Sequence, residues 1–329
     1  MCLVRVEDAQ SLGSVAFEKV QTLRGVGVDI LLGMAFSSHL QLAASYVNDN
    51  NMLVISHGSQ AANLAIDDNM FRLVPNDGNQ ALAVAAMIED AGVEVLLFVT
   101  RNDVWGEGLR DSVVEIYDGT IVEGIRYSPD ANEFSAEVSI IDEIIGELVA
   151  EHGADKVGVL YIGTDEFVSI IQQMRFYENV DDVRWFTTNT HASKQIVLQD
   201  DLVDFVEKTM LTATLTKSAE SNHITEHVKT FVNDTYGENP NVYSYGAYDS
   251  VWLLGSAILQ ANSAEVDDLI VALPLVAEHM IGAGGPLRLT DKGDLAHAEY
   301  DILQVRNGEW VFDAEFDSAS GSIIRSTTP

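Results

Sequence analysis

Short apolar runs ending in small, polar loops alternate with amphipathic stretches along most of the chain. No other feature limits the possible folds so strongly. Residues 53–55 are apolar, and Ser56-His57-Gly58-Ser59-Gln60 follows them. Residues 28–32 run into Gly33-Met34-Ala35-Phe36-Ser37-Ser38, and residues 93–100, VEVLLFVT, form the strongest buried-strand signal. Between these runs the apolar residues recur at helical spacing, as in residues 14–23, 39–48, 80–91 and 134–151. Strands that are apolar throughout and alternate with helices predict parallel sheets covered on both faces. In such sheets ligands bind in the crevice outside the strand carboxyl ends, where the small polar loops lie.

The same reading extends along the chain. Strands are expected at residues 3–7 (LVRVE), 120–127, 156–162, 183–186 and 209–215. Helices are expected at 109–117, 166–177, 224–236 and 247–260, with another at 266–279 interrupted at Pro274. Toward the end the character changes. Residues 287–289, a turn at 290–294, residues 300–305, Asn307-Gly308 and residues 310–312 read as β-hairpins, since Asn-Gly between strands signals a type I′ turn. At 329 residues the chain is long enough for two domains. No low-complexity linker separates them, so two α/β lobes must join by short crossovers.

Composition narrows the function. The net charge of −33 repels phosphate backbones and disfavours nucleic-acid partners. The carboxylates are spread along helices, the pattern of a solvated surface. No apolar run reaches the roughly 18–20 residues of a membrane span, and residues 1–8 show neither the basic nor the apolar region of a secretory signal. Cys2, the single cysteine, rules out an internal disulfide and a cysteine-based zinc site.

Chemical motifs are sparse. The glycines of 25–27 and 282–285 do not form a nucleotide-binding loop. His223 and His227 have i, i+4 metal spacing but lack a third ligand, so a solvated helix face is expected. Asp291, Gly293 and Asp294 are read as a hairpin turn, not a calcium loop. No nucleophile elbow and no paired carboxylates suited to acid–base work are present, so neither an enzyme nor a metal or other cofactor is expected. Trp105, in the loop after the strongest strand, and Tyr161, at the end of a later one, stand where a flat side chain covers a small ligand; each also fits a core position.

Several segments, in order, resemble the solute-binding proteins of branched-chain amino-acid ABC transporters, the Leu/Ile/Val-binding family with the type I periplasmic-binding-protein fold. They are residues 6–11 (VEDAQS), 33–37, 55–64 (ISHGSQAANL), 71–83 (FRLVPNDGNQALA), 103–112 (DVWGEGLRDS), 133–136, 247–258 (AYDSVWLLGSAI) and 290–310. The resemblance implies two doubly wound, Rossmann-like lobes joined by three crossovers, with a ligand held in a hinge cleft. Lobe one would comprise residues 1–74 and 217–285, and lobe two residues 75–216 and 286–329. It also implies ligand contacts from Ser37, Ser59, Gln60, Trp105 and Tyr161. The family's ammonium-binding carboxylate falls at Asn189, so an amino acid and a neutral amide, urea-like or other small polar solute both stay open. An ABC permease is the implied partner, with membrane contact only through it, and the implied location is extracytoplasmic. A ligand-sensing receptor domain of the same fold is the alternative. The family places a strand and helix ahead of the VEDAQS segment, so an N-terminally truncated chain is expected.

Overall fold

A computed structural model describes residues 4–199, 201–217, 221–296 and 298–325. In chain order the first passage forms α1 (Gly13–Gly25), β1 (Ile30–Leu32), α2 (Ser37–Asp49), β2 (Leu53–Ser56) and β3 (Met70–Pro75). The second forms α3 (Asp77–Asp90), β4 (Val95–Arg101), α4 (Val104–Ile116), β5 (Thr120–Tyr127), α5 (Ser135–His152), β6 (Val157–Ile162), α6 (Glu166–Met174), β7 (Arg184–Thr187), α7 (Val203–Lys208) and β8 (Thr212–Thr216). The third forms α8 (His223–Tyr236), α9 (Val242–Ala261), α10 (Val266–Ala277), the short β9 (Ile281–Gly282) and β10 (Gly285–Pro286), and β11 (Asp294–Leu295). The last forms β12 (Tyr300–Arg306), β13 (Glu309–Asp317) and β14 (Ser322–Ile324). The chain divides into two compact units, Met1–Asn76 with Ser218–His297, and Asp77–Lys217 with Ala298–Pro329.

Unit one is built on a parallel sheet of order β1-β2-β3-β11. Both faces are covered, which is why its strands read as unbroken apolar runs. Val54 and Met70 face α1 and α2 through Val20, Leu40, Ala43 and Val47. Leu53, Ile55, Phe71 and Leu73 face α9 and α10 through Leu253, Ala257, Leu269 and Leu273. Unit two carries an eight-stranded sheet of order β14-β13-β12-β8-β7-β6-β4-β5, parallel from β8 to β5 and antiparallel from β12 to β14. One face packs on α5 and α6 and the other on α3 and α4.

Four expectations are corrected. Residues 4–7 form no strand: Val4 and Val6 are 77% and 88% exposed, because alternation without a neighbour leaves backbone donors and acceptors to water. Leu3 lies outside the described residues. Pro274 does not interrupt α10, which runs through it. Trp105 is in the first turn of α4, not a loop, because the Asp103 side chain accepts from the Trp105 and Gly106 backbone N–H groups and caps the helix. Residues 286–296, expected in lobe two, belong to unit one through the parallel pairing of β11 with β3. The hairpin turn between β12 and β13 is as read: Asn307 and Gly308 both have positive φ, 54° and 72°.

Candidate functional site

In unit one the loops that follow β1 and β2 pack backbone to backbone. A Cβ at Gly58 would lie 2.6 Å from the Ala35 carbonyl oxygen, so only glycine permits the approach. Ser56 ties the two together, donating to the Met34 carbonyl at 2.7 Å and accepting from the Ser59 backbone N–H at 3.2 Å. That spends the Ser56 hydroxyl on backbone groups.

This packing brings together three of the residues singled out from the sequence. Ser37 and Ser59 face each other with their Oγ atoms 3.0 Å apart, and Ser37 Oγ also accepts from the Ala61 backbone N–H at 3.3 Å. The Gln60 amide donates to the Pro75 carbonyl at 3.4 Å, and its Oε1 accepts from the Tyr243 hydroxyl at 2.7 Å. All three are buried.

The far end of the Gln60 loop is fixed by a buried ion pair that sequence reasoning missed. Arg72, on β3, donates to the Ala61 carbonyl through Nη1 at 2.7 Å. It pairs in fork fashion with Asp294, through Nε and through Nη2 at 2.7 Å, and Asn76 adds a bond to Asp294 at 2.9 Å. Both charges are buried, and a buried guanidinium requires a partner of this kind. Asp294 therefore adds an ion pair to the strand pairing that places residues 286–296 with unit one; in sequence it is indistinguishable from a turn aspartate.

In unit two the three candidates separate. Trp105 is half-buried and packs on the core shared by α3 and α4. Tyr161 is fully buried in the opposite core with Val157 and Val159, as strand alternation dictates, and its hydroxyl is 2.7 Å from that of Tyr127. It packs there as a core aromatic, one of the two places the sequence offered for it. Asn189 is half-buried in the loop after β7. The Gln80 side chain, with its oxygen toward Thr214 Oγ1 at 2.9 Å, also accepts from the Asn189 backbone N–H at 3.1 Å.

His191 fastens that loop. Its Nδ1 accepts from the Thr187 hydroxyl at 2.8 Å, and its Nε2–H donates to the Thr164 carbonyl at 2.8 Å. Its ring sits between Tyr161 and Phe167. Burial pushes its pKa down to about 4, so it is a neutral imidazole in a single tautomer. Beside it, Arg101 at the end of β4 bridges Asp103, Thr164 and Glu166. The clustering of Thr187, Thr188, Thr190 and His191 after a buried strand was the available sequence signal for this clasp.

Residues 2–309 match the family model described as periplasmic binding protein. A curated relative, an uncharacterised protein of Methanocaldococcus jannaschii, is 24% identical over 97% of this chain and 80% of its own length. Among solved structures, the leucine binding protein LivK from Thermotoga maritima matches with a TM-score of 0.78 at 18% identity, over 95% of this chain and 87% of that one. The substrate binding protein LivJ from Streptococcus pneumoniae matches with 0.74 at 16% identity, over 97% and 86%. A solute binding protein from R. palustris matches with 0.74 at 14% identity, over 98% and 86%. Strand-end loops on parallel sheets and the matched family model together show that the chain belongs to the periplasmic binding proteins, and these folds give it the type I architecture.

Proposed function

We propose that the chain is an extracytoplasmic solute-binding protein that captures a small polar solute, an amino acid or a related amide, for an ABC importer. One observation carries the reading. Ser37, Ser59 and Gln60 converge, buried, at the carboxyl ends of unit-one strands, where hydroxyls and an amide suit a polar solute. In unit two, Trp105 supplies a flat apolar face and Asn189 an amide. Tyr161 contributes through the core behind the Asn189 loop, against the ring of His191. The solved relatives include a leucine binding protein, one in complex with isoleucine and one in complex with benzoate, so this fold accepts ligands with and without an ammonium group. Asn189 supplies no charge to an ammonium, which favours an amide over a free amino acid.

A thermal-shift and calorimetry panel of amino acids, amides, urea analogues and aromatic carboxylates tests the proposal. A cognate ligand at about a hundred times its Kd raises stability by about 2.7 kcal/mol; no shift with any of them overturns the reading. Asn189→Asp is expected to tighten amino-acid binding about tenfold, and an unchanged affinity would remove Asn189 from the ligand set. Trp105→Ala is expected to weaken binding about tenfold with the fold intact.

A further inference from the structure

Three arginines gather on unit two, at the end of its sheet opposite the Asn189 loop. Arg184 opens β7, Arg306 closes the antiparallel β12, and Arg325 follows β14. In a chain with 51 acidic and 18 basic residues, such a concentration of cations runs against the overall charge. Strand register brings two of them together. Phe186, Thr212 and Gln304 form one row across β7, β8 and β12. Arg184 and Arg306 each stand two residues beyond that row in the same direction, so they share a face and a level. Their strands flank β8, which sets the two backbones about 10 Å apart, a gap that two long side chains can close on a small ligand.

Hydrogen bonds join the cluster into one network. Arg325 pairs with Asp90, at the end of α3, through Nη1 at 2.9 Å, and with Asp313 of β13 at 3.2 Å. Arg306 pairs with the other oxygen of Asp313 through Nη2 and gives its Nε–H to Gln304 Oε1 at 2.7 Å. Its Nη1 makes no bond among the described residues. Gln304 donates to Thr212 Oγ1 at 3.2 Å, and Arg184 Nη2 lies 3.5 Å from that same oxygen. Three guanidinium groups thus share two carboxylates, which leaves one positive charge in excess.

The excess falls on Arg184. Its guanidinium is half-buried over the Phe186 ring, 5.3 Å from the centroid. Thr212 is a weak partner, because its hydroxyl already donates to the Met210 carbonyl at 2.7 Å. The Arg184 Nε–H is shut off from water and has no acceptor among the described residues. Burial lowers the Arg184 pKa, and Arg325 and Arg306 push it the same way against Asp313 and Asp90. Arg72 and Arg110, both buried, each have a carboxylate within ion-pair distance, Asp294 for the first and Asp111 and Glu123 for the second. A buried cation calls for such a counter-charge, and the carboxylates near Arg184 are held by its neighbours.

We propose that Arg184 and Arg306 form a binding site for a small inorganic oxyanion, phosphate or sulfate, with Arg325 and its two aspartates holding Arg306 in place. A guanidinium presents paired N–H groups on one planar edge, which match two oxygens of such an ion, and its charge is permanent. The bound ion ties β7 to β12 across β8. The site is separate from the residues assigned to the solute and does not depend on that assignment.

Thermal unfolding of the full chain in phosphate, sulfate and chloride, at one pH and matched ionic strength, tests this alongside calorimetric titration with phosphate. Ionic strength is matched because any salt screens the self-repulsion of a chain at −33. The expected result is one phosphate bound per chain and a Tm about 2–4 °C higher in either oxyanion than in chloride. Arg184→Met is expected to abolish that increment while leaving Tm in chloride unchanged or higher, since it removes a buried cation that lacks a counter-charge. Arg306→Gln, at an exposed position, is expected to weaken phosphate binding about tenfold with far-UV circular dichroism unchanged. Absence of calorimetric binding overturns the proposal. So does an increment that survives both substitutions, which would put the anion elsewhere. An Arg184→Met variant that loses as much Tm in chloride as in phosphate also overturns it, by reducing Arg184 to a structural role.

Discussion

Two loops invite comparison, residues 57–61 after β2 in unit one and residues 188–191 after β7 in unit two. Both follow a buried strand, both are rich in small polar residues, and both carry proposed ligand contacts. They are secured by opposite means. The unit-one loop ends on a permanent charge, Arg72 locked to Asp294, and is pressed so close to its neighbour that Gly58 has no space for a Cβ. The unit-two loop is held by a neutral ring, His191, whose two nitrogens reach Thr187 and Thr164. A loop held by a neutral imidazole loses a partner as soon as the ring takes up a proton.

Breaking the charge lock has the largest expected effect. Asp294→Ala strands a buried guanidinium and is expected to cost about 3–5 kcal/mol in urea unfolding, whereas Arg72→Met with Asp294→Leu is expected to recover most of that loss. If the double variant were as unstable as the single one, the pair would be acting through something other than its charge.

Acid titration probes the other loop. The unfolded chain binds a proton at His191 near the ordinary pKa of about 6.5, and the folded chain resists it down to about 4. The contribution of His191 is therefore complete above 6.5 and is lost as pH falls toward 4, by about 3 kcal/mol in total. The opposing influences of Lys194, which lowers the pKa, and Asp165, which raises it, are the smaller ones. His191→Gln, which keeps a donor and an acceptor, is expected to remove this part of the acid slope; an identical slope in the variant would move the effect elsewhere, for instance to His39, whose pKa burial also lowers.

The smallest effect belongs to Gly58. Gly58→Ala drives a methyl group against the Ala35 carbonyl and is expected to cost about 1–3 kcal/mol while displacing Ser59 and Gln60. Ligand affinity should fall with stability; full affinity in a destabilised variant would separate the packing of these loops from recognition.

How much of this was legible in the sequence follows from what each residue depends on. The core strand at residues 93–100 and the Asn307-Gly308 turn were readable because their cause is local: an apolar run in one, a backbone demand for positive φ in the other. Ser37, Ser59 and Gln60 were singled out by the family resemblance and not by any local signal, and the structure sets Ser37 against Ser59 with Gln60 beside them. The LVRVE stretch misled because alternation describes only the strand and not the neighbour it needs. Trp105 was placed in a loop because the Asp103 cap was not weighed, although an Asp that begins a helical pattern is a local signal. Asp294 was beyond reach, because its partner Arg72 is distant in sequence. His191 was marked only by the threonines around it, and its burial depends on a core that only the assembled sheet creates.

The Arg72–Asp294 pair also sets a schedule. Its members are 222 positions apart, and the polypeptide forms most of unit two between them. A chain emerging from the ribosome at about 5–20 residues per second spends on the order of ten seconds or more with Arg72 made and Asp294 not yet made. Throughout that interval β3 lacks its outer neighbour, and the Gln60 loop is tethered to an arginine whose counter-charge has not been synthesised. The loop that carries Ser59 and Gln60 is consequently completed late in the life of the nascent polypeptide, long after its own residues have been translated.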